Sequence, residues 1–244
     1  MFLGMEKSPY SNSVKIFCDG AFKEEMLRYN SDDWVSGMTT NPSLMKKAGI
    51  NDYVSFCKEI LQSVQEKPLS FEVFADDLET MEKQAREICT WGENIYTKIP
   101  VINSEGESTL GLIKKLSAEG IKINVTAVFT EEQISKSIEA LKGGAPSYLS
   151  VFAGRIADTG RDPVPMMQAT VDKVKGSSIE LLWASCREVW NIVQADLIGC
   201  DIITIPASIL EKFKKMKDQD LFSLSKETVT SFKKDAEASG FKIF

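Results

Sequence analysis

The residue with the most chemical potential in this chain is Lys98, in the middle of Asn94-Ile95-Tyr96-Thr97-Lys98-Ile99-Pro100-Val101. That apolar, β-branched run has the composition of a buried strand. Burial disfavours an ammonium ion and so favours free amine. Free amine attacks ketones to give a Schiff base. Two other fates compete: a lysine whose head reaches solvent, or one paired with a carboxylate. The chain has no histidine in its 244 residues. Ser-His-Asp and Cys-His nucleophile systems are thereby excluded, as are His-ligated zinc sites. Acid–base work then falls to carboxylates, Lys, Tyr, Cys or bound water. For carbonyl chemistry this favours a covalent amine route.

Such a lysine needs a scaffold, and the hydropathy pattern supplies one. Eight short apolar runs, at 14–19, 35–40, 69–75, 95–101, 121–129, 148–154, 179–185 and 202–206, alternate with stretches of helical periodicity. The helical stretches include 77–91, 105–119, 131–141, 163–174 and 187–198. Continuous apolar runs are the mark of parallel strands buried on both faces. Eight such repeats predict an α/β fold, a single-domain (β/α)8 TIM barrel over 14–210 with a C-terminal helical extension at 211–244. An open doubly wound sheet is the rival, but no GxGxxG follows the first run. Thr130 and Gln133 predict a capping box. Asn41-Pro42 and Asp162-Pro163 each place a capping side chain before a proline at the first helical position. The tail is expected to cover the barrel or to dock on a neighbouring subunit.

Barrel chemistry sits at the carboxyl ends of the strands, and polar residues recur there. They are Asp19, then Thr39, Thr40 and Asn41, then Glu72, Lys98, Asn124 with Thr126, Ser150 with Arg155, and Ser185 with Arg187. A buried charge without a partner costs several kcal/mol, so one shared polar cavity is expected. Asp19 has an alternative as a helix cap, and Asn41 can serve as cap and site residue together. Glu72 is flanked by Phe71, Val73 and Phe74, with no adjacent basic residue. Arg155 and Arg187 are either outward ion-pair formers or a bidentate phosphate clamp. Strand eight offers little. Cys18 and Cys186 abut the expected site and read as structural thiols.

Acidic residues outnumber basic ones, 35 to 29, so no basic surface points to nucleic acid. No apolar stretch reaches the ~20 residues of a membrane span. Residues 1–13 form a leader without the apolar core of a signal peptide. Five scattered cysteines with no CxxC pair suit a reducing compartment, with the cytoplasm as the expected location.

Gly37-Met38-Thr39-Thr40-Asn41-Pro42-Ser43-Leu44 closely resembles the second-strand signature of transaldolases and the related small sugar-phosphate aldolases. Tyr96-Thr97-Lys98-Ile99-Pro100 resembles their Schiff-base strand, and Asn124-Val125-Thr126 their fifth-strand motif. Leu149 to Ile156 is similar to their Ser-x-Phe-x-Gly-Arg-Ile segment. Ala184-Ser185-Cys186-Arg187 resembles their Ala-Ser-aromatic-Arg motif, with cysteine in the aromatic place. The matches run from Asp19 to Pro206 in the expected order. The resemblance implies catalytic roles for Lys98, Asp19, Glu72 and Thr126. It implies substrate contacts from Asn41, Thr40, Ser150, Phe152 and Ser185, and phosphate contacts from Arg155 and Arg187. The substrates implied are small sugar phosphates, with no metal or organic cofactor, no nucleic acid or membrane partner, and a homo-oligomer. The aldolase branch typically carries glutamine and tyrosine where this chain has Glu72 and Phe152, so transaldolase is the expected activity. Release of free dihydroxyacetone, or phosphosugar binding without catalysis, are the alternatives.

Overall fold

The computed structural model describes residues 10–244, so the expected leader lies outside the described residues up to position 9. Eight parallel strands close on themselves in sequence order. They are β1 (Lys15–Asp19), β2 (Gly37–Thr39), β3 (Leu69–Glu72), β4 (Ile95–Pro100), β5 (Ile123–Val128), β6 (Ser147–Val151), β7 (Ile179–Trp183) and β8 (Ile202–Pro206). Ile203 of β8 pairs with Ile16 of β1 and Pro206 with Asp19, so no strand edge is left open. Between the strands run α1 (Lys23–Asn30), α2 (Pro42–Lys47), α3 (Tyr53–Ser63), α4 (Leu78–Ile88), α5 (Leu110–Ala118) and α6 (Glu131–Leu141). α7 (Ala153–Asp158), α8 (Val164–Val174), α9 (Val189–Leu197) and α10 (Ala207–Met216) continue the series, and α11 (Leu221–Ser239) follows it. This is a TIM barrel with a C-terminal helical extension.

The continuous apolar runs are explained by two separate cores. Residues of one parity, among them Met38, Phe71, Ile99, Val125, Leu181, Trp183 and Ile203, are buried on the helix side. Their opposite-parity neighbours Phe17, Tyr148, Leu182 and Ile202, with Tyr96 and Phe152 against them, form a second cluster inside the barrel. Tyr96 stacks on Tyr148 at 3.8 Å, and Phe17 meets Tyr148 edge-on at 5.6 Å. Gly37 lies opposite Phe17 in the register, and a Cβ there would come within 2.5 Å of Phe17 Cζ. The glycine thus makes room for the floor of the barrel. Above that floor the inward side chains turn polar.

Local signals hold in most places. Thr130 and Gln133 form the reciprocal capping box, and the Asn41 side chain accepts from Leu44 N at 3.0 Å. Asp162 differs: Pro163 takes the cap position of α8, and Asp162 accepts from Val164 N at 3.0 Å instead. Residues 105–109 are not helical, because an antiparallel bridge between Ile102 and Ser108 closes a turn ahead of α5. The sixth strand stops at Val151, and residues expected to extend it begin α7.

On the opposite end, the chain before β1 is pinned by Asp196 of α9. Its carboxylate accepts from Ser13 N and Val14 N at 2.8 and 2.9 Å and from both the Ser11 and Ser13 hydroxyls. α10 buries Leu210 and Phe213, whereas α11 buries none of its residues. No helix among the described residues is long and apolar enough to cross a membrane.

Candidate active site

A cavity of about 180 Å³ opens at the carboxyl end of the barrel. Asp19, Asn41, Lys98, Thr126, Ser150, Phe152, Arg155, Ser185 and Arg187 all line it. Of the residues expected to face one shared cavity, Thr40, Glu72 and Asn124 do not line it. They stand behind the lining and hold it.

Lys98 is 6% exposed, on β4 directly opposite Glu72 of β3. Its Nζ lies 3.1 Å from Glu72 Oε2 and donates to the Thr40 carbonyl at 3.1 Å. The amine is therefore paired with a carboxylate that sequence adjacency could not reveal, since the register places a basic residue across the strand. Tyr53 of α3 donates to the Glu72 carbonyl at 2.8 Å and fixes the end of β3. Thr40 contributes its backbone oxygen, and its own hydroxyl is buried without a partner among the described residues.

Asp19 ends β1 and does not cap a helix, because α1 starts at Lys23 after Phe22. Its carboxylate instead accepts from the Thr39 hydroxyl at 2.8 Å. Burial pushes its pKa above the ordinary carboxylate range, Glu72 adds to that rise, and Lys98 and the Thr39 hydrogen bond oppose it. An acid–base group held near the cavity amine in this way suits proton transfer.

Beneath these groups Asn124 is fully buried and uses both ends of its amide. Its Nδ2 donates to Ser70 Oγ at 3.0 Å, and its Oδ1 accepts from Ser150 Oγ at 2.6 Å. This chain ties β3, β5 and β6 together across the barrel. Thr126 sits where the β5–β6 register shifts, next to Ala127 in a left-handed conformation (φ 57°). A bulge beside an active site re-aims a side chain. The Thr126 hydroxyl is buried and unpartnered among the described residues.

At the rim, the Arg155 guanidinium lies 5.4 Å from the Phe152 ring centroid. Arg187 donates from Nε and Nη2 to Asp158 Oδ2, at 3.0 and 2.7 Å. Arg187 thus forms the expected ion pair while also lining the cavity. Ser185, between β7 and Arg187, has φ 65°. A non-glycine residue there costs on the order of 1–2 kcal/mol, and such strain collects at functional sites.

Sequence reasoning passed over Thr204, Ala184 and Pro206, which line the cavity, and Ser70 and Asp158, which orient lining residues. Thr204 is the chief omission, since strand eight reads as plain β-branched packing. Burial pushes the Cys186 thiol up to about 12, consistent with a structural role.

The family model described as transaldolase/fructose-6-phosphate aldolase matches residues 16–243. The chain belongs to the transaldolase/fructose-6-phosphate aldolase family. A "Probable transaldolase" of Methanococcus maripaludis strain C7 is 38% identical over 201 residues, covering 82% of this chain and 89% of the relative. One from Thermoanaerobacter sp. strain X514 is 36% identical over 232 residues, covering 94% of this chain and 100% of the relative. Among solved structures, "QR15, an Aldolase" superposes with a TM-score of 0.55 at 16% identity, over 85% of this chain and 96% of that one. That likeness speaks for the fold alone. In this member of the transaldolase/fructose-6-phosphate aldolase family, Lys98 and Glu72 come from the adjacent strands β4 and β3, so backbone register fixes their spacing, while Asp19 faces them from β1.

Proposed function

We propose that the protein is a transaldolase that moves a dihydroxyacetone unit from a ketose phosphate to an aldose phosphate through an imine on Lys98. The observation that carries this reading is the placement of a 6%-exposed lysine amine in the cavity, 3.1 Å from Glu72 and near Asp19. Transfer of one proton from Lys98 to Glu72 yields free amine and a neutral acid in the same contact. The amine attacks the ketone C2 to give a carbinolamine. Glu72, with a water held by the free Thr126 hydroxyl, returns the proton that lets hydroxide leave as water. The protonated imine then accepts the C3–C4 electron pair while Asp19 takes the proton of the C4 hydroxyl. An aldose phosphate departs, and the enamine waits for an acceptor.

Asn41 and Ser185 hold the dihydroxyacetone hydroxyls and keep the enamine in attacking geometry, with Ser150 below them. Thr40 supports Lys98 through its carbonyl. Arg155 and Arg187 take the phosphate, Arg187 with its orientation already set by Asp158. Phe152 argues for transfer over release. A phenyl ring offers no hydroxyl to position a water against the adduct, so the enamine persists until an aldehyde arrives. The sugar-phosphate substrates and the absence of any cofactor belong to this same reading.

A coupled assay tests it. Fructose 6-phosphate with erythrose 4-phosphate should be consumed, and fructose 6-phosphate alone should not turn over. Steady consumption without acceptor would assign the protein to the aldolase branch.

A further inference from the structure

We propose that Thr204 is a positioning residue for carbon–carbon cleavage: through Thr39 it fixes the direction of the hydrogen bond at Asp19, so that Asp19 takes the substrate proton on Oδ2. The inference rests on Asp19 being the proton acceptor, as read above.

The chain of contacts is short and leaves little choice. Thr39 Oγ1 lies 2.8 Å from Asp19 Oδ1 and 2.5 Å from Thr204 Oγ1. Each threonine hydroxyl carries a single hydrogen, and an ionised carboxylate can only accept. Thr39 therefore donates to Asp19, and Thr204 must donate to Thr39. A directed line results, Thr204 to Thr39 to Asp19, in which each donor polarises the next. Register makes it possible: β1 lies between β2 and β8, with Asp19 opposite Thr39 and Phe17 opposite Thr204. Thr204 reaches up from the layer below, 5% exposed, and Thr39 is 2% exposed. Both line the cavity, yet neither has bulk water at hand to replace its partner.

Among the described residues no other group hydrogen-bonds the Asp19 side chain. The charged groups around it are Lys98 from β4, Glu72 from β3, and Arg155 and Arg187 elsewhere on the cavity wall, with Glu25 of α1 on its outer side. These act through space and make no hydrogen bond to its side chain. The threonine pair is what commits Oδ1. On cleavage the substrate O–H bond breaks and an O–H bond forms at Oδ2. The C4–O bond becomes a carbonyl, and the C3–C4 electrons enter the iminium.

Weaker donation from Thr39 leaves the Asp19 anion less stabilised, so its pKa rises. A base must be ionised to act, so activity is then lost at a higher pH as the solution is acidified. The test compares Thr204→Val, Thr204→Ala and Thr204→Ser in kcat and kcat/KM across pH, with borohydride trapping as a parallel readout. Thr204→Val removes the hydroxyl at constant shape; kcat/KM should fall about fivefold, chiefly through kcat, for one neutral hydrogen bond lost. Its acidic limb should move up in pH, while the Lys98 adduct still forms. Thr204→Ser should restore both rate and limb. Should Thr204→Val fail to fold, Thr204→Ala, which adds no bulk, carries the same expectation. A wild-type rate and acidic limb in the variant without the hydroxyl would overturn the proposal. So would a serine variant as impaired as the valine one, which would make Thr204 a packing residue. Asp19→Asn separates the two levels: if it still cleaves substrate, the proton-acceptor reading itself fails. If it is inactive while Thr204→Val is normal, only the relay falls.

Discussion

Replacing Gly154 by alanine should damage the cavity rim far more than the added methyl group suggests. Gly154 begins the second position of α7, and its N–H donates to the Ala184 carbonyl at 3.3 Å, tying α7 to the end of β7. A Cβ there would stand 1.6 Å from the Ser185 carbonyl oxygen. Restoring even a 3.0 Å contact requires one segment to retreat by about 1.4 Å. The obstacle is backbone, and it belongs to a residue already held at φ 65°, so no side-chain rotation relieves it. Overpacking of this kind costs up to about 3 kcal/mol. For a domain of this size that corresponds to a Tm lower by roughly 6–12 °C. The retreat also moves Ser185, Arg155 or Arg187, and an error of about 1 Å at a positioning group can cost on the order of 100-fold in rate. Differential scanning calorimetry and kcat/KM with fructose 6-phosphate read the two effects. A variant melting within about 2 °C of the parent with unchanged kcat/KM would refute the claim that the two segments are locked together.

Phe152→Tyr places a hydroxyl beside the proposed adduct and should raise release of free dihydroxyacetone in the absence of acceptor; an unchanged product ratio would discredit the role given to the phenyl ring. Arg187→Ala should raise KM for fructose 6-phosphate by at least about tenfold, as loss of a bidentate anion contact predicts, while leaving KM for unphosphorylated fructose little changed. Asp196 tests stability against pH: burial alone would raise its pKa, but the hydrogen bonds from Ser13, Ser11 and Val14 outweigh it and bring it to about 2. Because the folded value is depressed, its contribution of about 2 kcal/mol is complete above the ordinary carboxylate pKa and disappears as pH falls towards 2. Urea unfolding of wild type and Asp196→Asn should therefore differ at pH 6 and converge with acidification; a constant difference would count against the assignment.

The barrel was legible because its strands are buried on both faces and its helices on one. That contrast is written in continuous apolar runs such as Ile202 to Ile205 against the spaced pattern of 131–141. Strand ends were less legible, since a residue such as Phe152 suits the last position of a strand or the first turn of a helix equally well. Lys98 and Glu72 stood out as charges in apolar surroundings. What decides their chemistry did not, because it is set across strands. Glu72 meets Lys98 through register, Thr40 contributes a carbonyl rather than its side chain, and Asp158 meets Arg187 from one helix turn beyond Arg155. Thr204 is the extreme case. Threonine is ordinary in a strand, and only a closing contact between the last strand, the first and the second gives its hydroxyl a partner.

The central claim concerns one amine, and borohydride reduction in the presence of fructose 6-phosphate tests it most directly. Intact-mass and peptide mass spectrometry should find a reduced dihydroxyacetone adduct on the peptide carrying Lys98, and none in Lys98→Ala. An adduct on another lysine, an adduct that survives in Lys98→Ala, or none on a protein that turns substrate over, would contradict the account.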